Sequence, residues 1–313
     1  MNDRHPPTLL PVDVRRPFPY SRGLVARTLM AAGIPPGRAY DLAVLIRRRL
    51  TPKEARAIES EQLNAVVTEV LAELEGPEAV VRFARLNVLH ELDMPVIILI
   101  GGTTGTGKSA IAAEVAHRLG ITRVTSTDFL RQTLRVIIPR TVAPSLHLSS
   151  FAAGRAVEGA DGVLSRTVIG FLAQARHVRV AVDAVLNRAH EERLSMVLEG
   201  VHLVPESRRV RADAIVVSCL ITVDDPIDHA SRFHSRDREC YGRRPADKYL
   251  AAFDEIRQID DYLRTAAAAA GIAVVGNDSL ESAVNQVIDL VLLDVERAVA
   301  LPQEAEPAAV VAG

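Results

Sequence analysis

The chain predicts an α/β protein, a doubly wound parallel sheet preceded by a small helical domain. Three observations carry that expectation. Val96–Ile100 is an unbroken apolar run of strand length, as in a central parallel strand buried on both faces. Four further strand-like runs follow, separated by helical stretches, which is the alternation of a doubly wound sheet. The first 90 residues, by contrast, carry helical spacing and little strand character.

Taken in order, residues 1–15 are proline-rich and read as irregular. Leu24, Val25 and Leu29 recur at helical spacing, with Gly33 placed to end that helix. Pro35 or Pro36 opens a second, carrying Leu42, Leu45, Ile46 and Leu50. A third starts at Thr51-Pro52-Lys53-Glu54, where Thr51 caps and Glu54 reaches back, and runs to Gly76; Pro77 starts a fourth. After Val96–Ile100 the strands are expected at Arg123–Ser126, Ser195–Glu199, Ala214–Val223 and Ala273–Val275, with a long helix inside Gly159–Arg193. The expected division is a helical domain over 1–92, the sheet domain over 93–297, and a disordered tail over 298–313, rich in Ala, Pro and Glu.

Composition excludes several classes. A net charge of −2 argues against a nucleic-acid-coating protein, so any basic site must be local. No segment has the length of a membrane span, and the opening Met-Asn-Asp-Arg-His-Pro-Pro has no apolar signal core, so a cytoplasmic location is expected. The two cysteines, Cys219 and Cys240, are too far apart for a C-x-x-C site; Cys219 reads as core, and Cys240 sits among arginines.

Gly102-Thr103-Thr104-Gly105-Thr106-Gly107-Lys108-Ser109 satisfies G-x-x-x-x-G-K-[ST]. The glycines let successive backbone N–H groups face one concavity, and the helix from Ala110 points its positive end there. Lys108 is expected at the β- and γ-phosphates of ATP and Ser109 on Mg²⁺. The strand before the loop and the helix after it supply the context the motif demands, so the sheet is expected to be of the P-loop NTPase type.

Other groups gather at the carboxyl edge of the expected sheet. Asp128 follows the second strand and can take a proton from an attacking hydroxyl, with Arg131 one turn on for an anionic substrate. The plainer alternative is that Thr127 or Asp128 caps the next helix. Glu199 ends an apolar strand before Gly200, the placement of a Walker-B-type carboxylate, and joins Ser109 as a metal-ligand candidate. His147, Ser149, Ser150 and Gln174 are weaker candidates on chemistry alone. Between Arg232 and Lys248 six cations (Arg232, Arg236, Arg238, Arg243, Arg244, Lys248) face three acids (Asp237, Glu239, Asp247), a local surplus of three. That segment reads as a lid over phosphates, with Arg236 the candidate for stabilising transferring charge. A solvated helix face is the alternative.

Together these segments resemble the 2-phosphoglycerate kinase family of methanogenic archaea, from about Val14 to Val291. The resemblance rests on Ser126-Thr127-Asp128, Leu146-His147-Leu148-Ser149-Ser150, Val197–Pro205, Asp247-Lys248-Tyr249-Leu250 with Phe253, Ile256 and Arg257, and Gly276-Asn277-Asp278, beside the phosphate loop. It implies ATP-dependent phosphorylation of 2-phosphoglycerate to 2,3-bisphosphoglycerate, and it raises His147, Ser149 and Ser150 as substrate-side residues. Pro17-Phe18-Pro19-Tyr20-Ser21-Arg22 with Ala31-Ala32-Gly33-Ile34 is similar to the ATP-cone, a regulatory nucleotide-binding module. The usual Lys-Arg-Asp-Gly opening is replaced by Val12-Asp13-Val14-Arg15-Arg16, so the ATP-cone-like fold is expected and its nucleotide site is left open.

The expected catalytic residues are therefore Lys108, Asp128, Glu199 and Arg236. The nucleotide is expected on Gly102 to Ala110, and the phosphorylated small-molecule acceptor on Asp128, Arg131, His147, Ser149, Ser150, Arg232, Arg243, Arg244 and Lys248. A kinase of the same fold for another metabolite, or an ATP-sensing regulator with little turnover, are the rivals; a homo-oligomer is left open.

Overall fold

The computed structural model describes residues 17–91, 94–158, 163–206, 213–239 and 245–300. Five helices come first: α1 (Arg22–Ala31), α2 (Pro36–Arg49), α3 (Pro52–Arg56), α4 (Ser60–Leu74) and α5 (Pro77–Glu91). The sheet region follows as β1 (Val96–Gly101), α6 (Lys108–Leu119), β2 (Val124–Ser126), α7 (Thr127–Ile137), α8 (Arg166–Glu191), β3 (Met196–Glu199) and β4 (Ile215–Thr222). It closes with α9 (Pro226–Glu239), α10 (Ala246–Leu250), α11 (Phe253–Ala270), β5 (Ala273–Gly276) and α12 (Leu280–Ala300). Two 3₁₀ segments, Pro144–His147 and Ser150–Ala156, link α7 to α8.

The sheet order is β2-β3-β1-β4-β5, and every pairing is parallel. All five strands lie within or beside the strand-like runs of the sequence. β1 is central and buried along its whole length. Its alternation divides two cores. Ile98 and Ile100 pack with Ile111 and Val115 of α6, Val284 and Leu292 of α12, and Leu29 and Leu42 of the N-terminal helices. Ile97 and Leu99 pack with Leu130 of α7 and Val178, Val182 and Leu186 of α8 on the opposite face. The N-terminal helices thus share an apolar core with the sheet. Arg118, almost fully buried at the end of α6, adds polar ties there to Met30 of α1 and Glu281 of α12.

Two local expectations need correction. The predicted third helix is two helices, α3 and α4. The Thr51 capping box forms, with Glu54 N–H donating to Thr51 Oγ1 at 3.3 Å and Thr51 N–H to Glu54 Oε2 at 2.7 Å. The helix then stops because Ile58 exchanges two backbone hydrogen bonds with Phe18 and buries its side chain. Helical spacing within Thr51–Gly76 contains no sign of a partner 40 residues upstream. The first residues of the predicted tail are helical instead, since α12 continues through residues 298–300; residues 301–313, Cys240, Arg243 and Arg244 lie outside the described residues.

Candidate active site

The phosphate loop turns between β1 and α6, at the carboxyl end of the central strand. Gly107 sits at φ +88° as the residue before α6, and a Cβ there would lie 2.3 Å from Asn277 Nδ2. Only glycine fits this approach. Lys108 opens α6, is buried, and donates from Nζ to the Thr103 carbonyl at 2.5 Å. Burial pushes its ammonium below the ordinary lysine pKa, while the Glu199, Asp128 and Asp260 carboxylates oppose the shift. A bound polyphosphate would act in the same sense as those carboxylates.

Ser109 Oγ donates to Glu199 Oε1 at 2.9 Å. This joins the end of the motif to the end of β3, the neighbour of β1, and leaves both oxygens beside a cavity of about 400 Å³ that Thr125, Ser126 and Phe129 also line. A hydroxyl and a carboxylate are hard oxygen donors suited to Mg²⁺. Among the described residues no cluster of three or more His, Cys, Asp or Glu could hold a metal without other ligands.

Asp128 is the second residue of α7, and its side chain is 69% exposed. It is not the cap, and neither is Thr127. Ser126 caps α7, its Oγ accepting from Phe129 N–H at 3.1 Å. The helix begins directly after the strand, so the last strand residue is also the cap. Thr127 is instead fully buried and bonds His202, while Asp128 is freed from a capping role, its Oδ1 3.5 Å from Arg131 Nε. Arg131 Nη1 donates to the carbonyls of Leu146 and Leu148, both at 3.0 Å.

A buried chain of polar groups shapes the same region. Gln174 Nε2 donates to the Ser145 and Leu148 carbonyls, which leaves its Oε1 facing His202 Nε2 at 2.9 Å. His202 therefore carries its hydrogen on Nε2, and its Nδ1 accepts from Thr127 Oγ1 at 2.9 Å. Burial lowers the His202 pKa to about 4, so the ring is neutral at pH 7. Arg131 and Gln174 between them hold the carbonyls of Ser145, Leu146 and Leu148. His147 is half-buried, with Nε2 2.9 Å from the Ile138 carbonyl; Ser149 is half-buried and Ser150 buried.

The described part of the cationic segment lies on two helices, α9 and α10. Arg232 of α9 donates to the Asn277 carbonyl and lies beside Gly107, so it adjoins the nucleotide motif. Arg236 falls near the end of α9, and Lys248 is exposed on α10.

Three side chains from outside the motif hold the phosphate loop. Asp260 Oδ1 accepts from Thr103 Oγ1 at 3.1 Å, His229 Nε2–H donates to the Thr104 carbonyl at 2.8 Å, and Asn277 Nδ2 donates to the Thr106 carbonyl at 2.8 Å. Residue chemistry in the sequence does not mark His202, His229, Asp260 or Asn277 as functional. The available signals were the positions of His202 and Asn277 inside the segments that carry the family resemblance; His229 and Asp260 had none.

A phosphate loop on the central strand of a parallel sheet, with a strand-end carboxylate on its serine and an aspartate at the next helix, defines a P-loop phosphotransferase. The chain matches no protein-family model. It is 36% identical over 275 residues to the 2-phosphoglycerate kinase of Methanothermobacter thermautotrophicus, covering 86% of this chain and 89% of that one. The enzymes of the same name from Thermococcus kodakarensis (35% over 271 residues, 87% and 92% covered) and Methanopyrus kandleri (33% over 278 residues, 88% and 84%) are similarly related. The chain belongs to the 2-phosphoglycerate kinase family. Among solved structures, shikimate kinase from Acinetobacter baumannii in complex with shikimate aligns at 12% identity over 66% of this chain and 96% of that one, with a TM-score of 0.33, too low to bear on the argument.

Proposed function

We propose that the protein transfers the γ-phosphoryl group of ATP to the free hydroxyl of 2-phosphoglycerate, giving ADP and 2,3-bisphosphoglycerate. The observation that carries this reading is the 2.9 Å contact between Ser109 and Glu199, beside Lys108, in a chain of this family. The acceptor oxygen forms a bond to the γ-phosphorus as the bond to the ADP oxygen breaks, and the hydroxyl proton passes to the Asp128 carboxylate. Lys108 binds the β- and γ-phosphate oxygens, where negative charge must be held through the transfer. Ser109 and Glu199 would hold Mg²⁺, which when bound neutralises charge on the phosphate oxygens. Arg232 adjoins the nucleotide, and Arg131, His147, Ser149, Ser150, Arg243, Arg244 and Lys248 are assigned to the acceptor side, with Arg236 at the transferring group. Residues 1–92 are assigned as an ATP-cone-like unit and 93–297 as the kinase domain. Among the described residues no helix is long and apolar enough to cross a membrane.

The test is ADP release with ATP and Mg²⁺ in the presence of 2-phosphoglycerate, glycerate or no acceptor. Leaving a desolvated arginine without its phosphate costs about 2–5 kcal/mol, so glycerate should lose on the order of 30-fold or more in kcat/KM. Equal rates with both acceptors would refute the proposal.

A further inference from the structure

We infer that Asp260 is a positioning residue for the phosphate loop: its buried carboxylate holds the Thr103 hydroxyl, and through it the backbone that receives the nucleotide phosphates. The inference rests on the nucleotide-binding reading above and adds a residue outside the motif, 157 positions from its partner.

Asp260 lies on α11 and is fully buried. A buried carboxylate is unfavourable unless its oxygens are occupied by donors. Here the two oxygens do different work. Oδ2 accepts from Arg264 Nε at 2.7 Å, with Arg257 Nη1 at 3.7 Å. Both arginines are anchored past the end of β4, Arg264 to Asp224 at 2.7 Å and Arg257 to the Val223 carbonyl at 2.9 Å. Oδ1 is left for the Thr103 hydroxyl. The carboxylate is therefore fixed to the sheet on one side and presents its other oxygen to the loop.

Thr103 in turn holds other groups of the motif. Its carbonyl accepts from both Thr106 Oγ1 at 3.0 Å and Lys108 Nζ at 2.5 Å. A nucleotide would draw the Lys108 ammonium from that carbonyl to its phosphates. The hydroxyl tie to Asp260 does not involve Lys108, so it keeps the Thr103 backbone in place as the lysine departs. A loop already in its binding shape loses less conformational freedom when the ligand arrives.

The experiment measures ADP affinity by calorimetry, with folding checked by circular dichroism, for wild type, Thr103→Val and Thr103→Ser. Valine keeps the shape and removes the donor; serine restores the hydroxyl. Thr103→Val should weaken ADP binding at least tenfold and raise the KM for ATP without raising the KM for the acceptor, and Thr103→Ser should stay within threefold of wild type. A role confined to stability would lower the melting temperature and leave affinity and both KM values unmoved. A folded Thr103→Val protein that binds ADP within twofold of wild type overturns the inference. If that variant does not fold, Thr103→Ala carries the same thresholds. A wild-type protein that fails to bind ADP would instead defeat the nucleotide reading, and the inference with it.

Discussion

Acidification should destabilise the protein through His202. In the folded chain the ring is held neutral by burial, with its pKa lowered to about 4, against about 6.5 for an unfolded histidine. Between those values the unfolded chain binds a proton that the folded chain refuses, so stability is complete above pH 6.5 and falls as pH drops towards 4. The difference of about 2.5 units at 1.36 kcal/mol each amounts to about 3 kcal/mol over the whole window. About 2 kcal/mol of it is lost by pH 5. That is a large share of the 5–15 kcal/mol that holds a typical protein folded. Denaturant unfolding at pH 7 and pH 5, for wild type and His202→Gln, isolates the contribution. His229 is also buried with a lowered pKa and adds to the acid sensitivity of both proteins. The wild type should therefore lose about 2 kcal/mol more than His202→Gln between the two pH values. Identical losses would refute the neutral-histidine account, whatever the variant's stability at pH 7.

Three further perturbations separate chemistry from architecture. Asp128→Asn should lower kcat by about 10²-fold or more while leaving the melting temperature nearly unchanged, because the cap of α7 is Ser126. Ser126→Ala should do the reverse to stability, costing about 1 kcal/mol in unfolding measurements; wild-type turnover in Asp128→Asn would remove it from the reaction. Gly200→Ala should disrupt folding and turnover together, since the residue has φ +149° and a Cβ there would come within 1.8 Å of Thr127 Oγ1. A loss of more than about 2 kcal/mol is expected on unfolding, and a variant with wild-type stability and rate would show that the β3–α7 contact is not needed.

The parts legible in the sequence are those whose causes are local. β1 and β3 were legible because a strand buried on both faces needs no information beyond its own apolar composition. The Thr51 capping box was legible for the same reason, as its two bonds span three residues. The break at Ile58 was not, because it depends on Phe18. Nor was the cap of α7, since Ser126, Thr127 and Asp128 are all competent caps and the choice follows from where β2 stops pairing with β3. The active site divides along the same line. The glycines, Lys108 and Ser109 announce phosphate binding from eight consecutive residues, yet the groups that hold this loop in shape come from 125, 157 and 171 positions away. A histidine, an aspartate and an asparagine at such distances have no periodicity or spacing to mark them, and each is common in unrelated roles. Their assignment follows from a physical requirement. A loop whose N–H groups point at a ligand exposes its carbonyls and hydroxyls on the other side, and where that side is buried these need partners. The Thr103 hydroxyl and the Thr104 and Thr106 carbonyls find theirs in Asp260, His229 and Asn277. The chemistry of the motif is therefore encoded locally, and its rigidity is supplied by α9, α11 and the end of β5.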